Sequence, residues 1–274
     1  MLPPLQQQIS TIELLTITSD RPQCLKLCSI FVTRMVETFE KMWDLTYPCS
    51  KHPGVCWTIV SDGKELASVK SPVPYAITHR PPSSNSGISF RENLRAGLKN
   101  LRSGLTTIKQ REHADVVLFI EDDDWYHPYY LWYMYHGLLR SEIFGEGRAL
   151  YYAPSTARYR IWDNRSHASL CSTGIRSTVI SSLLTQLDWL VFVDQPLWKN
   201  LDFIRHLDVP EARTNPMLER RFCVGMKGLP GKRGFTDAHD ARTTLDHYDS
   251  EYKLLRNLIG EEDFRLYYSG EFFS

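Results

Sequence analysis

Four consecutive acids, Glu121-Asp122-Asp123-Asp124, follow directly on the apolar, β-branched run Val116–Ile120. Like charges at the rim of a buried strand repel one another and resist desolvation, so such a cluster needs a compensating cation or several hydrogen-bond donors. A hard divalent ion, Mn²⁺ or Mg²⁺, meets that need: it takes carboxylate oxygens from protein and keeps positions open for water and phosphate oxygens. In a strand-end turn Asp122 and Asp124 can reach one ion while Asp123 points elsewhere; Glu121 with Asp123 is the other pairing. The competing reading is a helix N-terminus near Tyr126-His127-Pro128, with Asp124 as its cap and the acids favoured by the helix dipole.

A second segment with phosphate chemistry is Gly225-Met-Lys-Gly-Leu-Pro-Gly-Lys-Arg-Gly234. Its glycines let backbone N–H groups approach an anion closely, and Lys227, Lys232 and Arg233 supply positive charge. So many glycines, with a proline, predict a loop rather than a helix or a central strand. A third feature is the interleaving of Arg158, Arg160, Arg165 and Arg176 with Tyr151, Tyr152, Tyr159 and Trp162, a mixture suited to a phosphate-bearing or stacked acceptor.

These residues must be positioned by the elements around them. Ile12–Ile17 reads as a short buried strand ending in the polar turn Thr18-Ser-Asp-Arg-Pro22, and Cys28, Phe31, Val32, Met35, Val36, Phe39 and Met42 recur at helical spacing after it. Val55–Val60 is a strand ending at Ser61-Asp62-Gly63, and Tyr75–Thr78 is a third. Phe90, Leu94, Leu98, Leu101 and Leu105 mark another amphipathic helix before Val116–Ile120. Strands alternating with helices imply an α/β fold with a mostly parallel sheet, whose ligands bind beyond the carboxyl ends of the strands. The second half is less regular: Leu150–Ala153 reads as a strand, Val179–Leu187 as a short helix, and Tyr252, Leu255, Leu258 and Ile259 as part of a C-terminal helix.

The 274 residues carry 32 basic and 32 acidic side chains, and 42% are hydrophobic, which excludes disorder, collagen and a coiled coil. The zero net charge is a sum of blocks: +4 over residues 1–120, −4 over 121–150, +4 over 151–242 and −4 over 243–274. It gives no support for a strongly basic nucleic-acid binder but leaves room for a local basic face beside an acidic site. The start of the chain has neither the basic flank nor the apolar run of a signal peptide, and no segment has the roughly 20 apolar residues of a membrane span. A cytoplasmic protein without membrane insertion is expected. The six cysteines include no C-x-x-C pair and favour buried free thiols over a zinc site or disulfides.

The segment Phe119-Ile-Glu-Asp-Asp-Asp-Trp-Tyr-His-Pro128 resembles the strand-D-x-D-D-aromatic-aromatic-His-Pro segment of GT-A glycosyltransferases, especially the broad family 2 type. Thr18-Ser-Asp-Arg-Pro22 is similar to that family's first-strand turn, Ser61-Asp62-Gly63 to its second-strand nucleotide contact, and Arg91-Glu-Asn93 to its Arg-Asn helix start. The resemblance covers residues 12–200 and, more loosely, the chain to His239. It implies a single Rossmann-like GT-A domain over 1–274: a nucleotide-sugar half over 12–128, an acceptor and catalytic half over 129–242, and a C-terminal helix and aromatic tail over 243–274. By the same resemblance Thr18, Ser19, Arg21, Asp62, Arg91, Asn93, Asp122, Asp123, Lys227 and Arg233 would hold a nucleoside-diphosphate sugar, a UDP-sugar foremost. Asp122, Asp124 and His239 would hold Mn²⁺ or Mg²⁺. Asp194-Gln-Pro-Leu-Trp-Lys199 looks like the family's E-D-x-x-L-W-x-R segment, which makes Asp194 the catalytic base of an inverting transfer, although Val193 replaces the preceding Glu.

The Lys-Gly-Leu-Pro-Gly-Lys-Arg-Gly segment followed by His239 also resembles small soluble bacteriophage glycosyltransferases, some of which act on hydroxymethylated pyrimidines in DNA. That resemblance, with the basic segment 151–242, points to a DNA acceptor over a saccharide or lipid-linked glycan. Other classes remain: a metal-dependent phosphodiesterase or nuclease, a glycoside hydrolase with paired carboxylates, and a non-catalytic nucleotide-binding module.

Overall fold

The computed structural model describes residues 8–18, 21–62, 69–80, 90–187, 193–199, 202–209, 220–229 and 247–268; the side chains of residues 90–95 also lie outside the description. The first half alternates strand and helix: β1 (Thr11–Thr18), α1 (Pro22–Thr46), β2 (Gly54–Ser61), β3 (Tyr75–His79), α2 (Phe90–Arg111) and β4 (Val116–Glu121). There follow β5 (Trp125–Tyr126), α3 (Tyr130–Leu138), β6 (Ile143–Glu146), β7 (Leu150–Ala153), β8 (Arg158–Ile161), β9 (Thr173–Arg176) and α4 (Ser177–Gln186). The last elements are α5 (Asp194–Lys199), β10 (Arg205–Asp208), β11 (Cys223–Met226), β12 (His247–Tyr248) and α6 (Lys253–Tyr268).

Seven strands form a central sheet in the order β10-β6-β9-β4-β1-β2-β3. Its β4-β1-β2-β3 portion is parallel throughout, and β9 alone runs antiparallel to its neighbours β4 and β6. The mostly parallel α/β sheet expected from the sequence is therefore present. Strands buried on both faces need side chains for two cores, which is why they read as continuous apolar runs. Leu14, Leu118 and Ile120 pack with Phe31, Met35 and Met134 of α1 and α3. Leu15, Val117 and Phe119 pack on the other face, with Leu101, Leu105 and Ile108 of α2 and Val179, Ile180 and Leu183 of α4.

A second, five-stranded sheet runs β12-β8-β7-β11-β5. Two expectations are corrected here. Gly225 and Met226, read as the start of a breaker-rich loop, lie in β11, an interior strand flanked by β7 and β5. The glycine is there for close approach: a Cβ at Gly225 would stand 2.4 Å from Tyr151 Cδ1. The proposed helix start after Asp124 is instead β5, which pairs with β11. The next helix, α3, begins only at Tyr130 and has no side-chain cap, so Asp124 is not a helix cap.

Among the described residues no helix is long and apolar enough to cross a membrane. Cys24, Cys28, Cys171 and Cys223 are buried free thiols, Cys56 is partly buried and Cys49 exposed.

Candidate active site

The parallel register brings three strand ends together. Ile17 of β1 lies beside Glu121 of β4, and Thr18 lies beside Ser61 of β2. Asp62 follows that pair, its amide donating to the Thr18 carbonyl over 3.4 Å. Thr18, Asp62 and the acidic turn therefore share one edge of the sheet, beyond the carboxyl ends of the strands.

Each acid of the turn has its own environment. Asp122 accepts a 2.6 Å hydrogen bond from Thr18 Oγ1 and pairs with Arg21 Nη2. Arg21 Nη1 donates over 2.7 Å to Asp123 Oδ2, so one guanidinium bridges consecutive carboxylates. Pro22 opens α1 at its first position, and Arg21, immediately before it, is held at the mouth of the turn. Asp124 accepts 2.8 Å from the Met226 amide of β11 and lies 3.8 Å from Lys227 Nζ. Its other oxygen, Oδ2, is buried without a hydrogen-bond partner among the described residues.

Oxygens of Glu121, Asp123 and Asp124 lie within 4.8 Å of one another. This trio differs from the alternating Asp122–Asp124 pair because Asp122 is turned toward Thr18 and Arg21. Behind it, Asp124 approaches the thiols of Cys171 and Cys223, again within 4.8 Å.

The charges do not balance. Among the described residues, four carboxylates meet two cations, Arg21 and Lys227. Burial pushes the Asp122 carboxyl up to about 7, helped by Asp123 and Glu121 and opposed by Arg21 and Thr18. Burial likewise raises Glu121 and Asp124. Asp123 goes the other way, since Arg21 and Lys227 together outweigh its burial and hold it below the usual carboxylate range. Burial opposes the charge on Lys227, but Asp124, Glu121 and Asp123 raise its ammonium well above the ordinary lysine value. The turn thus carries a surplus of two formal negative charges, the charge of one divalent cation, and its unpartnered Asp124 oxygen fits a ligand role.

The turn opens into a cleft of about 200 Å³. Glu121, Asp122, Arg21, Lys227 and Asp194 all line it, with Tyr151 and Ser169. Asp194 is the first residue of α5, half-buried, and its charge is one of the influences that raise Glu121. Lys227 Nζ stands 5.0 Å over the Tyr151 ring, and Tyr151 Oη is 2.7 Å from Ser169 Oγ. Sequence reasoning did not place Tyr151 and Ser169 at the cleft. Tyr151 stood out only as one aromatic in a basic block, and Ser169 carries no signal of its own.

Of the other residues expected at the site, Ser19, Arg233 and His239 lie outside the described residues. Arg91 and Asn93 fall on the first turn of α2, with side chains outside the description. Asp62 is 4% exposed, and its Oδ1 has no partner among the described residues.

No family model and no curated protein matches the chain. Solved structures similar to it include Rv0371c from Mycobacterium tuberculosis H37Rv, 11% identical over 76% of this chain and 91% of that one, with a TM-score of 0.39. A candidate nucleotide-diphospho-sugar transferase from Desulfovibrio desulfuricans G20 is 12% identical over 73% of this chain and 80% of that one, also with a TM-score of 0.39. Likenesses this distant carry no argument about activity, which rests on the site.

Proposed function

We propose that the chain is a GT-A glycosyltransferase that moves a sugar from a nucleoside-diphosphate sugar, a UDP-sugar foremost, to an acceptor hydroxyl with inversion. The observation that carries this reading is one cleft at the strand ends lined by Glu121 and Asp122 of the acidic turn, by the cations Arg21 and Lys227, and by a separate carboxylate, Asp194. Glycosyl transfer needs both parts: charge neutralised on a departing diphosphate, and a hydroxyl made nucleophilic.

Glu121, Asp123 and Asp124 would hold Mn²⁺ or Mg²⁺, which when bound supplies Lewis-acid stabilisation of the leaving diphosphate. Asp122 keeps Arg21 in place beside Asp123. Lys227 pairs with a diphosphate oxygen from the opposite side of the turn. Asp62, buried with an uncommitted oxygen at the end of β2, accepts a hydrogen bond from the ribose or base of the nucleotide. Asp194 removes the acceptor proton as the new C–O bond forms and the bond to diphosphate breaks. For the acceptor, hydroxymethylated pyrimidine in DNA is favoured by the +4 charge of residues 151–242. On β8 the segment presents Arg158 and Arg160, with the Arg160 guanidinium 4.1 Å from the Trp162 ring.

The deciding experiment is a thermal-shift panel of UDP, GDP and CDP and their sugars, each with and without Mn²⁺. A diphosphate that stabilises the chain only with metal is the expected result; ligand at a hundredfold its Kd adds about 2.7 kcal/mol. No metal-dependent response to any member would end the reading. Adding modified and unmodified duplex DNA with the stabilising sugar then tests the acceptor by transfer of label.

A further inference from the structure

Glu13 has no part in the cleft. It lies near the start of β1, fully buried in the central sheet, and in the parallel register it stands beside Cys56 of β2. Its two oxygens differ. Oε1 accepts a 2.6 Å hydrogen bond from Thr58 Oγ1 and faces Arg111 Nη1 at 3.9 Å. Oε2 is buried with no hydrogen-bond partner within ordinary distance among the described residues, and His113 Nε2 lies 3.6 Å from it.

The histidine is oriented. Its Nδ1 lies 3.3 Å from the Arg111 carbonyl, an acceptor that selects the tautomer with the proton on Nδ1. In the neutral imidazole that tautomer leaves Nε2 as the lone-pair atom, 3.6 Å from Glu13 Oε2, where either a proton or a metal cation would join the two groups. A carbonyl-bound Nδ1 with a free Nε2 is also how metal-ligating histidines are held. The Cys56 sulfur completes a set of three ligand atoms within 4.8 Å of one another. For a tetrahedral zinc ion with oxygen and nitrogen ligands at about 2.0–2.2 Å, ligand atoms stand roughly 3.4 Å apart, close to the observed Glu13–His113 separation.

We propose that Glu13, Cys56 and His113 form a second metal site, selective for a borderline-soft divalent ion such as Zn²⁺, with water as the fourth ligand. The mixed oxygen, sulfur and nitrogen set separates it from the oxygen-only turn at the other end of β1, which suits Mg²⁺ or Mn²⁺. Access is open on one side, since Cys56 is partly buried and the His113 side chain is 41% exposed. Binding ties β1, β2 and the connection between α2 and β4 together, and it releases the Cys56 thiol proton to solvent. A thiol binds metal as the thiolate, so affinity increases as pH rises.

The test uses the full chain stripped of metal by a chelator and titrated with Co²⁺ as a spectroscopic stand-in for Zn²⁺. The expected result is thiolate-to-cobalt charge-transfer absorption saturating at one equivalent. It should vanish in Cys56→Ser, weaken at least tenfold in His113→Ala, and persist in Cys171→Ser, which removes a thiol from the buried cluster behind Asp124. Absence of the band in the wild-type chain, its persistence in Cys56→Ser, or its loss in Cys171→Ser would each overturn the proposal. None of these outcomes depends on glycosyl transfer.

Discussion

Thr18 and Asp122 are 104 residues apart in sequence and joined by a 2.6 Å hydrogen bond between buried side chains. The bond fixes the end of β1 to the acidic turn after β4, and it satisfies the same carboxylate that Arg21 engages from the other side. A buried carboxylate held by a hydroxyl and a guanidinium is committed to the protein. Asp122 is thus the brace of the turn while it also lines the cleft beside Glu121; Asp123 and Asp124 have partners of their own in Arg21, Lys227 and the Met226 amide.

Removing Arg21 should expose what it compensates. Arg21→Met leaves Asp122 and Asp123 buried without their shared cation, and breaking a buried pair from one side costs about 3–5 kcal/mol. Asp122→Asn in the same chain should recover part of that loss, because one of the two stranded charges is gone. Urea unfolding of the two single variants and the double variant measures the coupling. A loss below about 1 kcal/mol in Arg21→Met would show that the fork contributes little.

The metal set can be separated from the brace by isosteric substitution. Asp123→Asn and Asp124→Asn remove a ligand charge from the converging trio and should weaken Mn²⁺ binding more than tenfold. Asparagine at 124 can still accept the Met226 amide bond, so the fold is retained. Asp122→Asn should leave Mn²⁺ affinity within about threefold. Titration followed by Mn²⁺ electron paramagnetic resonance gives the three affinities, and a loss in Asp122→Asn equal to the other two would return Asp122 to the ligand set.

How far the sequence anticipated this depends on whether a feature is local. β1, β2 and β4 are readable because strands buried on both faces leave unbroken apolar runs, and α1 is readable from its three- and four-residue spacing. β11 is not, because Gly225 serves a contact with Tyr151 across strands, while along the chain it looks like a breaker. β5 is two residues long and exists only by pairing with β11, so local patterning gives no sign of it and leaves open a helix start near Tyr126 as the competing reading. The acidic turn was visible as chemistry, whereas the division of labour within it was not. Which acid braces and which converge is decided by Thr18, Arg21 and Met226, all remote in sequence from the turn.

Glu146 gives a stability test away from the cleft. It is 3% exposed in β6, accepts 2.9 Å from the Phe222 amide and lies 3.5 Å from Arg221. Burial outweighs both partners and pushes its carboxyl from 4.5 up to about 7. A folded-state value above the unfolded one means that the protonated form favours folding. The stabilisation is complete below 4.5 and is lost as pH rises through about 7, a change on the order of 3 kcal/mol at about 1.4 kcal/mol per unit. Glu146→Gln should remove this component, so the gap in unfolding free energy between variant and wild type should change between about pH 4 and about pH 8. A gap that stays constant across that range would contradict the assignment.

Asp194 carries the catalytic half of the proposal, and its place in the fold makes the prediction discriminating. It opens the six-residue helix α5, where an acid favours the helix dipole, so a purely structural role is available to it. Asparagine is also a good residue at a helix start, and Asp194→Asn should leave the unfolding midpoint nearly unchanged. As the base, however, Asp194 cannot be replaced by an amide, and turnover should fall by roughly 10²–10⁴-fold while metal-dependent donor affinity stays within about threefold. Single-turnover kinetics with the stabilising donor separates the two roles, and the anomeric configuration of the product checks inversion. Near wild-type turnover in Asp194→Asn, or a product that retains the donor configuration, would leave Asp194 as a helix-start residue and require another base in the cleft.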